Sequence, residues 1–260
     1  MGFSILYDTM YETKENRGVN MKIEVWSDYV CPFCYIGKRR LELALEQFPH
    51  KDQVEVELKA FELDPNSLPF NGESIHEVLA KKYGMSVDQA KQANQNVGLQ
   101  AETVGLTYNF DGMKPTNTFD AHRLAKFAKT KGKAATVSEK LLQAYFMEGK
   151  HIGNHDTLAG IAEESGLNRQ EALNVLQDNT AFANEVRSDE AIAQQYQIGG
   201  VPYFVINSKY AISGAQPLET FIGALQKVWE EEAPKPMFQD LSTEQDVSCA
   251  DGSCVIPEKE

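Results

Sequence analysis

Lys22-Ile23-Glu24-Val25-Trp26-Ser27, followed after three residues by Cys31-Pro32-Phe33-Cys34, runs a strand signal into a helix signal with two thiols at the junction. Residues 22–27 are rich in β-formers. From Pro32 to Phe48 the residues Ile36, Leu41, Leu43, Ala44, Leu45 and Phe48 make a helical apolar stripe, and Lys38, Arg39 and Arg40 between them read as a solvated face. The first turn of a helix presents unpaired N–H groups and the positive end of the helix dipole, and both favour a thiolate. Pro32 suits the first helical position, since its missing N–H would have had no partner there. Cys31 is therefore expected to be the more exposed and more acidic thiol, a nucleophile. Cys34, one turn further in, is placed to resolve a mixed disulfide.

Zinc sites use the same Cys-x-x-Cys spacing, but they need four ligands, usually from a second pair at matching spacing. The only other cysteines, Cys249 and Cys254, stand more than 200 residues away and are spaced Cys-x4-Cys. Redox chemistry therefore outweighs a metal site or inert core thiols, and no metal is expected. His151 and His155 are four apart, but Gly153-Asn154 would break any helix presenting both. His50, His76 and His122 are isolated and read as surface or packing residues. Glu24, on the strand leading to Cys31, reads as a peripheral strand residue more than a buried proton acceptor.

Outward from the thiols, Val54-Glu55-Val56-Glu57-Leu58-Lys59-Ala60 alternates apolar and polar, a second strand that completes a strand–helix–strand unit with a parallel pair. From about Asp64 the character changes. Residues 74–197 carry helical periodicity, with Ser86-Val87-Asp88-Gln89 as a capping box, Asn168 and Ser188 as N-caps, and Gly105, Gly132, Gly149 and Gly166 as stops. Tyr203–Ile206 and Tyr210–Ile212 form a hairpin across Asn207-Ser208-Lys209, and Pro217 opens a last helix through about Trp229. The organisation expected is an extension over 1–20, a sheet domain built from 21–63 and 198–230, an inserted helical domain over 64–197, and an acidic tail over 231–260. With the insertion removed, the order β-α-β then β-β-α is the α/β thioredoxin layout, a mixed central sheet with helices on its faces.

The net charge of −13 over 260 residues speaks against nucleic-acid binding, which needs a basic surface. Eight acidic and two basic side chains fall in residues 231–260, which read as a solvated tail. No apolar run approaches the roughly 20 residues of a membrane span. Phe3-Ser4-Ile5-Leu6-Tyr7 is too short for a signal-peptide core. The expected address is the cytoplasm, with no membrane partner; the oligomeric state is not legible.

Gly199-Gly200-Val201-Pro202-Tyr203 places a proline at the first residue of a strand, where it costs no ladder hydrogen bond. Ser27-Asp28-Tyr29-Val30-Cys31-Pro32-Phe33-Cys34-Tyr35-Ile36-Gly37, together with Gly200-Val201-Pro202 and Gly214-Ala215-Gln216-Pro217, resembles DsbA-family proteins, and among them the FrnE-like branch. The resemblance runs from Met21 to about Trp229. It implies a thioredoxin fold with a helical insertion and disulfide exchange on protein substrates. Cys31 would be the nucleophile, Cys34 the resolving thiol, and Val201-Pro202 a cis-proline loop that binds substrate. No cofactor is implied; glutathione or another thiol, or a thioredoxin system, would serve as co-substrate or partner. FrnE-like proteins are similar in carrying an extra C-terminal Cys-x4-Cys, so Cys249 and Cys254 are expected to be a second redox pair.

Relatives in this family include glutathione-dependent isomerases and transferases that carry serine where Cys31 stands. Retention of both cysteines favours redox exchange. In a reducing cytoplasm, reduction or isomerisation of disulfides is the sensible direction. A glutathione-dependent isomerase or transferase of small aromatic substrates and a redox-sensing chaperone stand as the alternatives.

Overall fold

The protein is described here by a computed structural model covering residues 21–232. The extension over 1–20 and most of the expected tail, including Cys249 and Cys254, lie outside the described residues. Four strands form one mixed sheet: β1 (Met21–Ser27), β2 (Val54–Ala60), β3 (Tyr203–Ile206) and β4 (Tyr210–Ser213), in the order β2-β1-β3-β4. β1 runs parallel to β2 and antiparallel to β3. The hairpin turn Asn207–Lys209 holds Asn207 and Ser208 at φ 51° and 53°, and the Lys209 N–H closes it by donating to the Ile206 carbonyl at 3.0 Å. This is the thioredoxin-like α/β arrangement.

Period-two alternation decides which side of the sheet each β1 residue serves. Met21, Ile23 and Val25 pack on one face against α1 (Pro32–Glu46) and the last helix, α9 (Leu218–Glu232), through Leu41, Leu45, Phe221, Leu225 and Val228. Trp26 faces the other way, into a smaller cluster with Ala193 and Ile198, and its indole N–H donates to the Asp189 carbonyl at 2.9 Å. That face is covered by α8 (Ala183–Gln195).

Between β2 and β3 come α2 (Ile75–Tyr83), α3 (Val87–Glu102), α4 (Phe119–Thr130), α5 (Ala134–Phe146), α6 (His155–Glu164), α7 (Arg169–Gln177) and α8, with no strand among them. Their starts follow side-chain chemistry. Ser74 and Ser86 each close a full capping box, and Asn154 and Asn168 accept from the N3 backbone N–H. α8 departs from expectation. Ser188 lies inside the helix, which begins at Ala183 after Phe182 in a left-handed conformation at φ 57°. The cause is Arg123 on α4, a buried guanidinium that donates to the carbonyls of Val175, Asp178 and Ala181. It gathers the end of α7 and the following turn, so the next helix starts without a polar cap of its own.

Lys38-Arg39-Arg40 also differs from the solvated face expected of it. Lys38 is buried, and with Arg39 it grips Glu139 of α5 at 2.7 and 2.5 Å while both also meet Glu42. α1 is covered on this side by the helical insertion, a partner about a hundred residues away that periodicity does not reveal. Burial pushes the Glu139 carboxyl up, but Lys38 and Arg39 outweigh it and hold Glu139 below the ordinary glutamate value. A carboxylate with a lowered pKa stabilises the fold above the ordinary glutamate range and loses that contribution as the pH falls through it. Glu139→Ala should therefore cost about 3 kcal/mol at neutral pH, by urea unfolding. The gap to the wild type should narrow below about pH 4. An equal gap at all pH values would mean that packing, not charge, explains the loss.

Candidate active site

Cys31 is the N-cap of α1, in extended conformation at φ −91° and ψ 113°, and Pro32 follows at the first helical position. No capping side chain competes there, so the helix N-terminus is presented to the thiol itself. The turn before it is closed by the Cys31 N–H donating to the Asp28 carbonyl at 3.2 Å. Both thiols are reduced and buried: Cys31 is 4% and Cys34 2% exposed. Cys31 is thus the more exposed of the two by a narrow margin, and Phe33, at 37%, is the residue of the turn that faces outward. The cover comes from segments remote in sequence. The Cys31 thiol points at the Val201 carbonyl, 3.6 Å away, and the Tyr108 hydroxyl of the insertion donates to the Pro32 carbonyl at 2.8 Å.

The two sulfurs stand in different surroundings. Cys34 Sγ accepts from the Asp28 N–H at 3.4 Å. Burial pushes the Cys34 thiol well up, aided by its hydrogen bond to Cys31. Burial also raises the Tyr108 phenol, with the charges of Cys31 and then Cys34 adding to it, so Tyr108 stays neutral over the sulfurs.

The Val201–Pro202 loop arrives at this place because β3 pairs antiparallel with β1: Trp26 faces Tyr203, so the residue before β3 meets the end of β1, where the cysteine turn begins. The Val201–Pro202 bond is cis, and the Pro202 carbonyl accepts from the Gly214 N–H at 2.8 Å. Gly37 allows the approach. A Cβ there would lie 3.0 Å from the Pro202 ring and 3.2 Å from Phe204. The structure thus brings Cys31 and the Val201–Pro202 loop together, with Cys34 one turn further into α1.

Two residues to which no chemical role was assigned at the sequence level also sit here. Asp28 is 1% exposed; its carboxylate accepts from the Leu63 N–H at 2.8 Å and meets His122 Nε2 at 3.3 Å. His122, read as a surface or packing residue, is 3% exposed and packs on the Tyr29 ring. Its signal was absent from the local sequence because its partner lies 94 residues upstream. Glu24 is half-buried in an ion-pair group with Lys59 at 3.2 Å and Lys22 at 3.9 Å. His151 and His155 have separate partners, Thr116 and Asp120. His50 stacks on Trp229, and His76 is buried against Asn94. No described helix is long and apolar enough to cross a membrane.

Gly37→Ala would gain about 1 kcal/mol from helix propensity alone. Because the added methyl meets two rings with little room to yield, a net loss of about 1–2 kcal/mol is expected in denaturant unfolding. A net gain would show that the proline loop gives way.

Comparison with known proteins agrees with this geometry. Residues 22–226 match the family described as DSBA-like thioredoxin domain. The chain is 31% identical over 210 residues to YwbO of Bacillus subtilis, covering 80% of this chain and 96% of that one. It resembles the crystal structure of a probable DsbA oxidoreductase from Streptomyces coelicolor, with 38% identity, a TM-score of 0.79, and coverage of 92% of this chain and 100% of that one. It shares its fold with the cytosolic disulfide reductase DsbM of Pseudomonas aeruginosa, at 14% identity and a TM-score of 0.55 over 80% of this chain and 99% of that one. The chain belongs to the DsbA-like thioredoxin-domain family of thiol–disulfide oxidoreductases.

Proposed function

We propose that this chain exchanges disulfides with protein substrates as a reductase or isomerase, with Cys31 as nucleophile and Cys34 as resolving thiol. The observation that carries the reading is the asymmetry of the pair. Cys31 occupies the helix N-terminus beside the Val201 carbonyl, whereas burial keeps the Cys34 thiol protonated. A nucleophile must be a thiolate at working pH, and a resolving thiol must wait until the first step is over.

The Cys31 thiolate attacks one sulfur of a substrate disulfide, and the other substrate sulfur leaves as a thiolate with the bonding electron pair. Cys34 then attacks Cys31, the substrate departs reduced by two electrons, and Cys31–Cys34 is left as the disulfide. Return to the dithiol requires two electrons from glutathione or from another dithiol such as a thioredoxin system. An extended substrate backbone would pair at Val201, beside the cis-proline, which brings its sulfur to Cys31. A cytoplasmic address fits this direction of flow, because a reducing compartment regenerates the dithiol. The fold is compatible with such work, as the cytosolic disulfide reductase DsbM illustrates.

The test uses the full chain with Cys249 and Cys254 changed to serine, so that only the two helix thiols react. The protein should catalyse insulin reduction by dithiothreitol, and either Cys31→Ser or Cys34→Ser should lower turnover on the order of a hundredfold or more. Cys34→Ser should accumulate covalent substrate adducts and Cys31→Ser none. Equal adducts from both would contradict the assignment, and turnover that survives Cys31→Ser would remove the reading altogether.

A further inference from the structure

A thiolate at Cys31 needs hydrogen-bond donors, and the first turn of α1 has few to give. Pro32 has no N–H, the Cys31 N–H is taken by the Asp28 carbonyl, and the Cys34 N–H by the Cys31 carbonyl at 3.0 Å. That leaves Phe33, at the second helical position. An N–H there has no partner within its helix, and Phe33 has none among the described hydrogen bonds outside it. The uncharged thiol does not use it, since Cys31 makes no capping bond and its S–H points at the Val201 carbonyl. A sulfur that has lost this proton has nothing to donate to that oxygen and must turn to an N–H. The second-position N–H is one that a capping side chain reaches.

Tyr108 holds the other end of the same peptide unit. Its hydroxyl donates to the Pro32 carbonyl at 2.8 Å, and the planar peptide fixes the Phe33 N–H opposite that carbonyl. A carbonyl oxygen has two lone pairs, so this bond adds to the helix ladder without displacing it. It resists rotation of the peptide plane, and it draws electrons toward the oxygen, which makes the N–H a stronger donor. The tyrosine is itself fixed. Its ring stacks on Phe146 at 4.7 Å and on Tyr35 at 6.2 Å between centroids, and the Asn109 N–H donates to the Phe146 carbonyl at 2.7 Å. Burial raises the Tyr108 phenol and a charge on either sulfur raises it further, so the hydroxyl keeps its proton when the thiolate forms.

We propose that Tyr108 is a positioning residue of the exchange reaction, holding the Pro32–Phe33 peptide so that its N–H meets the Cys31 sulfur whenever that sulfur carries charge. The inference rests on the exchange reading above. Cys31 carries the charge until its electron pair forms the bond to a substrate sulfur, while the old S–S bond breaks toward the leaving sulfur. The insertion thereby acts on the nucleophile through a contact 76 residues away in the chain. Other titratable groups surround the two sulfurs. Cys34 is pushed up by burial, and Asp28 adds its charge from the turn before α1. Tyr35 of α1 is raised by burial and then by Glu139, while Arg39 and Glu139 act on Tyr108 in opposite senses. Gly199-Gly200-Val201-Pro202 brings no ionisable side chain.

The test uses the full chain with Cys34, Cys249 and Cys254 changed to serine, so that alkylation by iodoacetamide, read by intact mass, reports Cys31 alone. Tyr108→Phe removes the hydroxyl and keeps the ring. At pH 5–6 this variant should react about threefold to tenfold more slowly than its parent, the factor that one hydrogen bond supplies. Near pH 9.5 it should match the parent or exceed it by up to about threefold, because a less stabilised thiolate is the better nucleophile. A second measurement uses the dithiol chain, with only Cys249 and Cys254 changed. There Tyr108→Phe should move the equilibrium with glutathione at pH 7 toward the internal disulfide by about threefold to tenfold, because the reduced form has lost stabilisation. A tyrosine that merely covers the site predicts otherwise: its loss speeds alkylation by one factor at every pH and leaves the equilibrium unmoved. That result overturns the proposal, as does a variant that reacts faster at pH 5 or an equilibrium shifted toward the dithiol. A parent chain that forms no internal disulfide removes the exchange reading instead, and the alkylation profile, which needs no turnover, still decides the role of Tyr108.

Discussion

The antiparallel pairing of β1 with β3 is the constraint on which the rest of the molecule depends. It joins Val25 to Phe204 and Trp26 to Tyr203, and so brings together two segments about 180 residues apart in the chain. Without that register the cysteine turn would have no Val201 carbonyl beside it, and Gly37 would have no proline ring to accommodate. Neither end of the contact can shift by one residue, because a one-residue slip would turn Phe204 and Ile206 away from the core they share with Ile23 and Val25. The chemistry of the site is thus held by the packing of the sheet.

The helical insertion is bound to this frame by polar contacts as well as by apolar burial. Glu139 ties α5 to α1, Asp189 of α8 accepts from the Ala60 N–H at 2.7 Å, and Tyr108 reaches the Pro32 carbonyl. Each is a buried or half-buried group with a specific partner, and such contacts fix orientation more sharply than apolar surface does. The insertion thereby becomes part of the wall around the two thiols, and it contributes His122, the buried partner of Asp28.

Much of this was legible in the sequence, and the reasons differ by element. β1 and β2 announced themselves through alternation and β-forming residues, and β2 spans the residues expected of it. The boxes at Ser86 and the cap at Asn168 were readable because a cap is a local contact three residues long. α1 and the last helix were recognised, although the last runs to Glu232, three residues beyond Trp229 and past the expected start of the tail. What escaped were side-chain contacts whose distant partner no motif marks. Lys38 looks like a surface lysine until Glu139 is placed against it, His122 looks isolated until Asp28 arrives, and α8 starts where Arg123 has gathered the preceding carbonyls. Burial of Cys31 belongs to the same group, since its cover is supplied by the Val201 loop and Tyr108. Spacing shows which residues are chemically equipped, whereas desolvation and pairing depend on tertiary neighbours.

The central claim is that Cys31 and Cys34 act as one reversible two-electron couple inside the folded chain. The most direct measurement is a redox titration of the Cys249→Ser, Cys254→Ser protein in glutathione buffers of graded ratio, with each state read by alkylation and intact mass. The account predicts a single transition between dithiol and internal disulfide. Its two-electron slope should be about 30 mV per tenfold change in the equilibrium ratio. Glutathione adducts that persist on either thiol, or two cysteines that oxidise independently without forming a bond to each other, would contradict it.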